Sequence, residues 1–191
     1  MVAKELKNWK ILEKRKCYEA PPWIAHSIHK VLLPDGREID DFNQVEIPDY
    51  AVVVATTPEE LFILERQYKH GIGGVSLTLP GGSINPNEAP LDAAKREFRE
   101  ETGFVSYDWK HLGTFVGDAN YGCGRAWVFR ARKAVQILQP NSGDLEEMEI
   151  VNLSKREILD KLSSGEIVAT AAVAALGIAL LCECNISTDP L

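Results

Sequence analysis

The chain has 191 residues, 45% of them hydrophobic and 26% charged, with a formal net charge of −7; this is the profile of one ordinary globular domain, or of one domain with a small appendage. Lys and Arg are scattered, which excludes an electrostatic footprint for nucleic acid, and the short Lys14-Arg15-Lys16 run reads as a solvated strand face. The most apolar stretch, Ile167 to Cys182, lies between Glu166 and Glu183 and is shorter than the roughly 20 residues of a spanning helix. A buried helix and no membrane partner are therefore expected.

The first fifty residues read as strands. "WKILEKRKCYEA" is extended and is broken by Pro21-Pro22; "WIAHSIHKVLL" follows, and Pro34-Asp35-Gly36 turns the chain into "REIDDFNQVEI". Pro48 precedes "YAVVVATT", whose β-branched run suits a buried strand, with "ELFILERQY" as its hairpin partner. "VSLTL" is a short strand that ends at Pro80-Gly81-Gly82. A helix follows, with Asn87 as the expected N-cap, Glu88 in its first turn, Ala93, Ala94 and Phe98 on its apolar face, and Gly103 as its stop. "WKHLGTFVG" and "RAWVFRARK" are strands joined by "DANYGCG", "EIVNL" is another, and two helices finish the chain, near Lys155 to Ser163 and from about Val168. Strands mixed with three helices give an α+β class. The N-terminus has no apolar signal-peptide core, and Cys17, Cys123, Cys182 and Cys184 form no disulfide framework, so a reducing cytoplasm is the expected compartment.

The chemistry concentrates in "LPGGSINPNEAPLDAAKREFREETGF", residues 79 to 104. On a helix, Glu97 and Glu101 share a face, and Glu100, three residues from Glu97, leans toward the same region. Crowded carboxylates repel unless arginines intervene or a hard cation such as Mg²⁺ or Mn²⁺ sits among them. Alone, "REFREE" reads as a solvated acidic face, as charge runs on helices usually are. The spacing is more specific: Gly82, five residues, Glu88, seven residues, Arg96-Glu97, then Glu100-Glu101 and Gly103. A chance match to these positions is roughly one in a million from average residue usage.

That spacing matches the Nudix box in full, and the chain resembles the Nudix hydrolases. Outside the box, "LLPDGREIDDFNQVEIPDYAVVVA", "ILERQYKHGIGG" and "LEEMEIVNLSKREILDKLSSGEI" loosely resemble the ADP-ribose pyrophosphatase branch. The resemblance implies a Nudix-type α/β/α sandwich with a mixed sheet at 48–191, preceded by a small N-terminal antiparallel β region at 1–47. It implies hydrolysis of a nucleoside diphosphate sugar, ADP-ribose foremost, with Mg²⁺ or Mn²⁺ held by Glu97, Glu100, Glu101 and the Gly81 carbonyl. Gly82, Glu88, Arg96 and Gly103 are then structural within the motif, and Glu100 and Glu101 are also catalytic candidates. A late loop would supply the base, for which Glu146 and Glu147 are candidates; the same loop reads equally as solvated. Arg66, in "RQYK", could clamp the diphosphate or pair on the surface with Glu65 or Asp49. Trp23, with Tyr18 and Phe42, could stack a purine or simply pack. A homodimer in which the N-terminal strands help to form the nucleotide site is implied. Thr78, where the branch often has Glu, and Ala119, where it favours Pro, depart from the pattern and leave open another nucleotide sugar, an oxidised nucleotide, or a nucleotide-binding module without turnover.

Overall fold

A computed structural model describes residues 6–141, 143 and 147–183. The chain forms two compact units, one of residues 1–48 with 116–125 and one of 49–115 with 126–191. In the first, β1 (Lys10–Ala20), β2 (Ile24–Leu32) and β3 (Glu38–Glu46) form an antiparallel meander. Its register runs from Lys10↔Leu32 to Ala20↔Ile24 and from Ala25↔Glu46 to Leu32↔Glu38. The Pro34-Asp35-Gly36 turn closes through the Gly36 N–H on the Leu33 carbonyl. Lys14, Arg15 and Lys16 are exposed on β1.

The second unit is built around β4 (Tyr50–Thr56). Its apolar run is buried on both faces, as a central strand requires. Val52 and Val54 face one way, Ala51, Val53 and Ala55 the other, and none is more than 6% exposed. β5 (Phe62–Lys69) returns antiparallel with Ala55↔Ile63. β6 (Gly74–Thr78) pairs antiparallel with β5 from Lys69↔Gly74 to Glu65↔Thr78.

Helix α1 (Pro90–Thr102) then crosses the sheet face formed by Ala51, Val53 and Ala55. Its small Ala93 and Ala94 allow close approach, and Phe98, with no exposed surface, fills the centre of that layer. Gly103 ends it with φ of 73° and donates its N–H to the Arg99 carbonyl; a Cβ there would lie 2.1 Å from the Leu138 carbonyl oxygen.

β7 (Phe104–Val105), β8 (Asp108–Asp118), β9 (Gly122–Arg132), β10 (Val135–Gln136) and β11 (Met148–Leu153) follow. β9 pairs parallel with β4 from Tyr50↔Ala126 to Ala55↔Ala131, and β11 pairs antiparallel with β5. The sheet is therefore mixed. α2 (Lys155–Ser164) starts in a complete capping box between Ser154 and Glu157, and α3 (Thr170–Glu183) follows. Ile158 of α2 and Ala172, Ala175, Leu176 and Ala179 of α3 cover the Val52–Val54 face. The unit is an α/β/α sandwich, with α1 on one side of the sheet and α2 and α3 on the other.

Two details differ from the sequence reading. α1 begins at Pro90, not at Asn87; Ala89 is its N-cap and makes no side-chain cap bond, while Asn87 has φ of 65°. Pro90 disfavours helical backbone at the residue before it, so Glu88 lies outside the helix. The short β7–β10 pair carries no periodic signal. Among the described residues, no helix is long and apolar enough to cross a membrane.

Replacing Phe98 by Ala is expected to lower unfolding stability by about 3–5 kcal/mol, against about 1 kcal/mol for Ser154→Ala, which removes only a cap. Urea midpoints of the two variants check the order.

Candidate active site

The loop after β6 is laced onto β4. The Val53 N–H donates to the Pro80 carbonyl and the Ala51 N–H to the Gly82 carbonyl, each at 2.9 Å; the Ile84 N–H bonds the Asp49 carbonyl, and Ser83 bridges to Tyr50. The loop thus runs as a ribbon beside the central strand, and α1 returns across the same face.

Arg96 joins loop and helix. Its Nε donates to Glu88 Oε1 at 2.8 Å and its Nη2 to Glu88 Oε2 at 3.0 Å, a two-pronged pair, while Nη2 also reaches the Ser83 carbonyl at 3.1 Å. Nη1 donates to Glu97 Oε1 at 2.7 Å and, more weakly, to Glu100 Oε2 at 3.3 Å. The Asn85 N–H gives Glu88 Oε2 a further bond at 2.9 Å. The Arg96 hydrogen bonds first, then the Asn85 N–H, hold the Glu88 carboxyl down to about 2, against the opposing effect of its partial burial. The Arg96 guanidinium is in turn held above its ordinary value, through Glu88 first and then Glu97.

Glu101 is only 6% exposed, and its Oε2 accepts the Gly81 N–H at 2.7 Å. Gly82 faces Glu97: a Cβ built on Gly82 would stand 2.5 Å from the Glu97 carboxyl carbon. Gly81, Gly82, Glu88, Arg96, Glu97, Glu100 and Glu101 therefore share one place, where four carboxylates surround the bend of a loop and one guanidinium stands among three of them.

Among the described residues, no three His, Cys, Asp or Glu side chains form a ready metal cage. The donor set nevertheless fits a hard divalent cation. It consists of carboxylate oxygens on one helix face, Glu97 and Glu100 already share one positive group, and the bare Gly82 leaves the Glu97 carboxylate room at the loop.

Arg66, on β5, approaches Glu149 at 3.7 Å with both side chains exposed. It lines a cleft of about 500 Å³ with Ser76 and Lys161. Trp23 and Tyr18 are exposed in the first unit, where Phe42 packs edge-on against Trp9. Glu147 is exposed, and Glu146 lies outside the described residues.

Sequence reasoning missed two features. Asp49 accepts a bond from the Trp127 indole Nε1 at 3.2 Å, at the foot of the loop. A buried polar trio stands beside the Leu79-Pro80 turn, in which Gln67 Nε2 donates to both Glu65 Oε2 and Thr78 Oγ1 at 2.9 Å. Its only sequence signal is a Glu and a Gln two residues apart, on one side of β5.

A carboxylate-bearing helix packed on a mixed sheet, entered through a glycine loop, defines the class. The family model of the NUDIX domain matches residues 47–170. The chain is 25% identical over 145 residues to an ADP-ribose pyrophosphatase of Bacillus subtilis (strain 168), covering 73% of this chain and 76% of that protein. It is 30% identical over 145 residues to an ADP-sugar pyrophosphatase of Mus musculus, covering 68% of this chain and 63% of that protein. The crystal structure of an ADP compounds hydrolase superposes with a TM-score of 0.80 at 20% identity, covering 94% of this chain and 96% of that one, a likeness of fold. The chain belongs to the Nudix family and is a Nudix pyrophosphohydrolase.

Because the Glu88 carboxyl is held below its ordinary 4.5, the Arg96–Glu88 pair contributes stability that is present above that value and is lost as pH falls toward about 2. Glu88→Gln is expected to lower stability at pH 7 by about 1–3 kcal/mol and to flatten the acid limb over that window. Denaturant titrations at stepped pH check both.

Proposed function

We propose that the protein hydrolyses the diphosphate bond of a nucleoside diphosphate sugar, with ADP-ribose as substrate, giving AMP and ribose 5-phosphate. The observation that carries this reading is the meeting of Glu97 and Glu101 with the Gly81-Gly82 bend, with Glu101 tied to the loop backbone and Glu100 joined to Glu97 through Arg96. Two relatives named for ADP-ribose and ADP-sugar hydrolysis support the choice of substrate.

In this reading Glu97, Glu100, Glu101 and the Gly81 carbonyl hold Mg²⁺ or Mn²⁺. Such a cation, when bound, polarises phosphoryl oxygens and lowers the pKa of water. Water attacks one phosphorus, the bond from that phosphorus to the bridging oxygen breaks, and the departing phosphate keeps the bridging oxygen. The water's proton passes to a carboxylate, either Glu100 or Glu101 in the box or Glu146 or Glu147 in the late loop. Glu88 and Arg96 keep the loop against the helix, with Gly82 and Gly103 at its two bends. Arg66 presents a guanidinium fork to the diphosphate, and Trp23 offers an exposed ring for the base. Residues 1–47 serve dimerisation and contribute to the substrate site of a homodimer, and 48–191 carry the hydrolase domain. The compartment is the cytoplasm.

Chromatography of ADP-ribose incubated with the protein and Mg²⁺ is expected to show AMP and ribose 5-phosphate in equal amounts. Glu97→Gln and Glu101→Gln should each lower the rate at least about a hundredfold, and a chelator should abolish it. Undiminished turnover by Glu97→Gln refutes the assignment.

A further inference from the structure

At Glu65 the sheet forks. β5 pairs with β4 at Thr56↔Phe62 and Ala55↔Ile63, and from Glu65 onward it pairs with β6. The chain of β6 changes sides at the same level. Thr78, opposite Glu65, is its last residue on β5. Two residues later the Pro80 carbonyl takes the Val53 N–H, and the Gly82 carbonyl then takes the Ala51 N–H. One ribbon thus runs first along β5 and then along β4, and the acidic site begins where it has just crossed.

Side chains hold the crossing point. Glu65 and Gln67 follow Ile63 at two-residue steps, so they share the face on which α1 lies. Glu65 is 1%, Gln67 3% and Thr78 8% exposed. The Gln67 amide spends one hydrogen on Glu65 Oε2 and the other on Thr78 Oγ1, and the Thr78 hydroxyl makes a longer bond of 3.5 Å to the Glu65 carbonyl. Apolar side chains would suffice for a plain core, whereas a polar set buried this deeply penalises every other alignment. Moving β6 by one residue along β5 turns Thr78 to the opposite face and strands the Gln67 amide.

The register matters because the next residues have no slack. A Cβ on Gly81 would stand 2.1 Å from the Ala51 carbonyl oxygen, and one on Gly82 would stand 2.5 Å from the Glu97 carboxyl carbon. A slip one way seats Pro80 where Gly81 belongs, and a slip the other way seats Ser83 where Gly82 belongs. The Gly81 N–H also has a fixed target, Glu101 Oε2 at 2.7 Å. The turn that leads into β6 contains Gly71, Gly73 and Gly74, each with open space around it, so it guides the alignment only weakly.

We infer that Glu65, Gln67 and Thr78 are positioning residues that lock β6 in register at the fork and thereby set Gly81 against Glu101 and Gly82 against Glu97. Their bearing on catalysis rests on the hydrolytic reading above. Being buried, they act through the loop and not on the substrate.

Amide hydrogen exchange, followed by nuclear magnetic resonance on the full chain, tests the lock without substrate. In the native chain both Gln67 side-chain hydrogens are expected to be protected. Thr78→Val, which removes the hydroxyl at nearly constant size, and Gln67→Met, which keeps the length but donates nothing, should each speed exchange of the Gly81 amide about tenfold. Thr78→Ser should stay within about twofold of the native protein, and Ile158→Val, a loss of packing in the other layer, should leave Gly81 unchanged. Mn²⁺ affinity should follow the same order, with about a tenfold loss in Thr78→Val and Gln67→Met. Rapid exchange of the Gln67 hydrogens in the native chain, unchanged Gly81 exchange in Thr78→Val or Gln67→Met, or equal acceleration in Thr78→Ser or Ile158→Val each overturns the lock. Level Mn²⁺ affinity beside accelerated Gly81 exchange overturns its service to the cation site. Gly81 exchange that depends on Thr78 in a native chain that binds no Mn²⁺ keeps the lock and overturns the metal-dependent reading instead.

Discussion

The site depends on one guanidinium. Arg96 has Glu88 on one edge, Glu97 and Glu100 on another, and the Ser83 carbonyl between, so a single side chain joins the loop before α1 to the middle of that helix. Without it, three half-exposed carboxylates would face one another across a few ångströms, a repulsion that opens the loop. A lysine could not replace it. An ammonium is a point charge, whereas the planar fork offers donors in fixed directions to two carboxylates and a carbonyl at once. The remaining excess of negative charge suits a divalent ion, which is why Arg96 organises the acids without neutralising them.

That arrangement is only as rigid as its support. β4 is buried on both faces and takes three kinds of neighbour: antiparallel β5, parallel β9, and the glycine loop bonded at Ala51 and Val53. Phe98 and the two alanines seat α1 on the same strand. Helix and loop therefore refer to one central element, and the carboxylates on them keep their spacing, as sites built on packed elements do. The other sandwich layer, with Ile158, Ala175 and Leu176 against Val52 and Val54, contributes stability without touching the chemistry.

Much of this was legible in the chain. The acids could be grouped because helical spacing places Glu97, Glu100 and Glu101 on one side; that Gly82 faces Glu97 is visible only in the structure. The start of the helix misled because Asn87 is a good cap by type, while Pro90 disfavours the helical backbone that such an early start requires at Ala89. The β4–β9 pairing was hidden for a different reason. Tyr50 and Ala126 are far apart in the chain, and no local pattern encodes which buried strands become parallel neighbours. That pairing is what brings Trp127 to Asp49, at the foot of the acidic loop. In the same way Glu65, Gln67 and Thr78 meet only across the β5–β6 ladder.

The most direct measurement is electron paramagnetic resonance of Mn²⁺ titrated into the full chain and into a Glu97→Gln, Glu101→Gln double variant, with folding checked by circular dichroism. Saturable binding by the native chain, lost in a double variant that remains folded, is the outcome expected if these carboxylates hold the cation beside the diphosphate. Equal Mn²⁺ uptake by both proteins would place the metal elsewhere and contradict the role given to the helix.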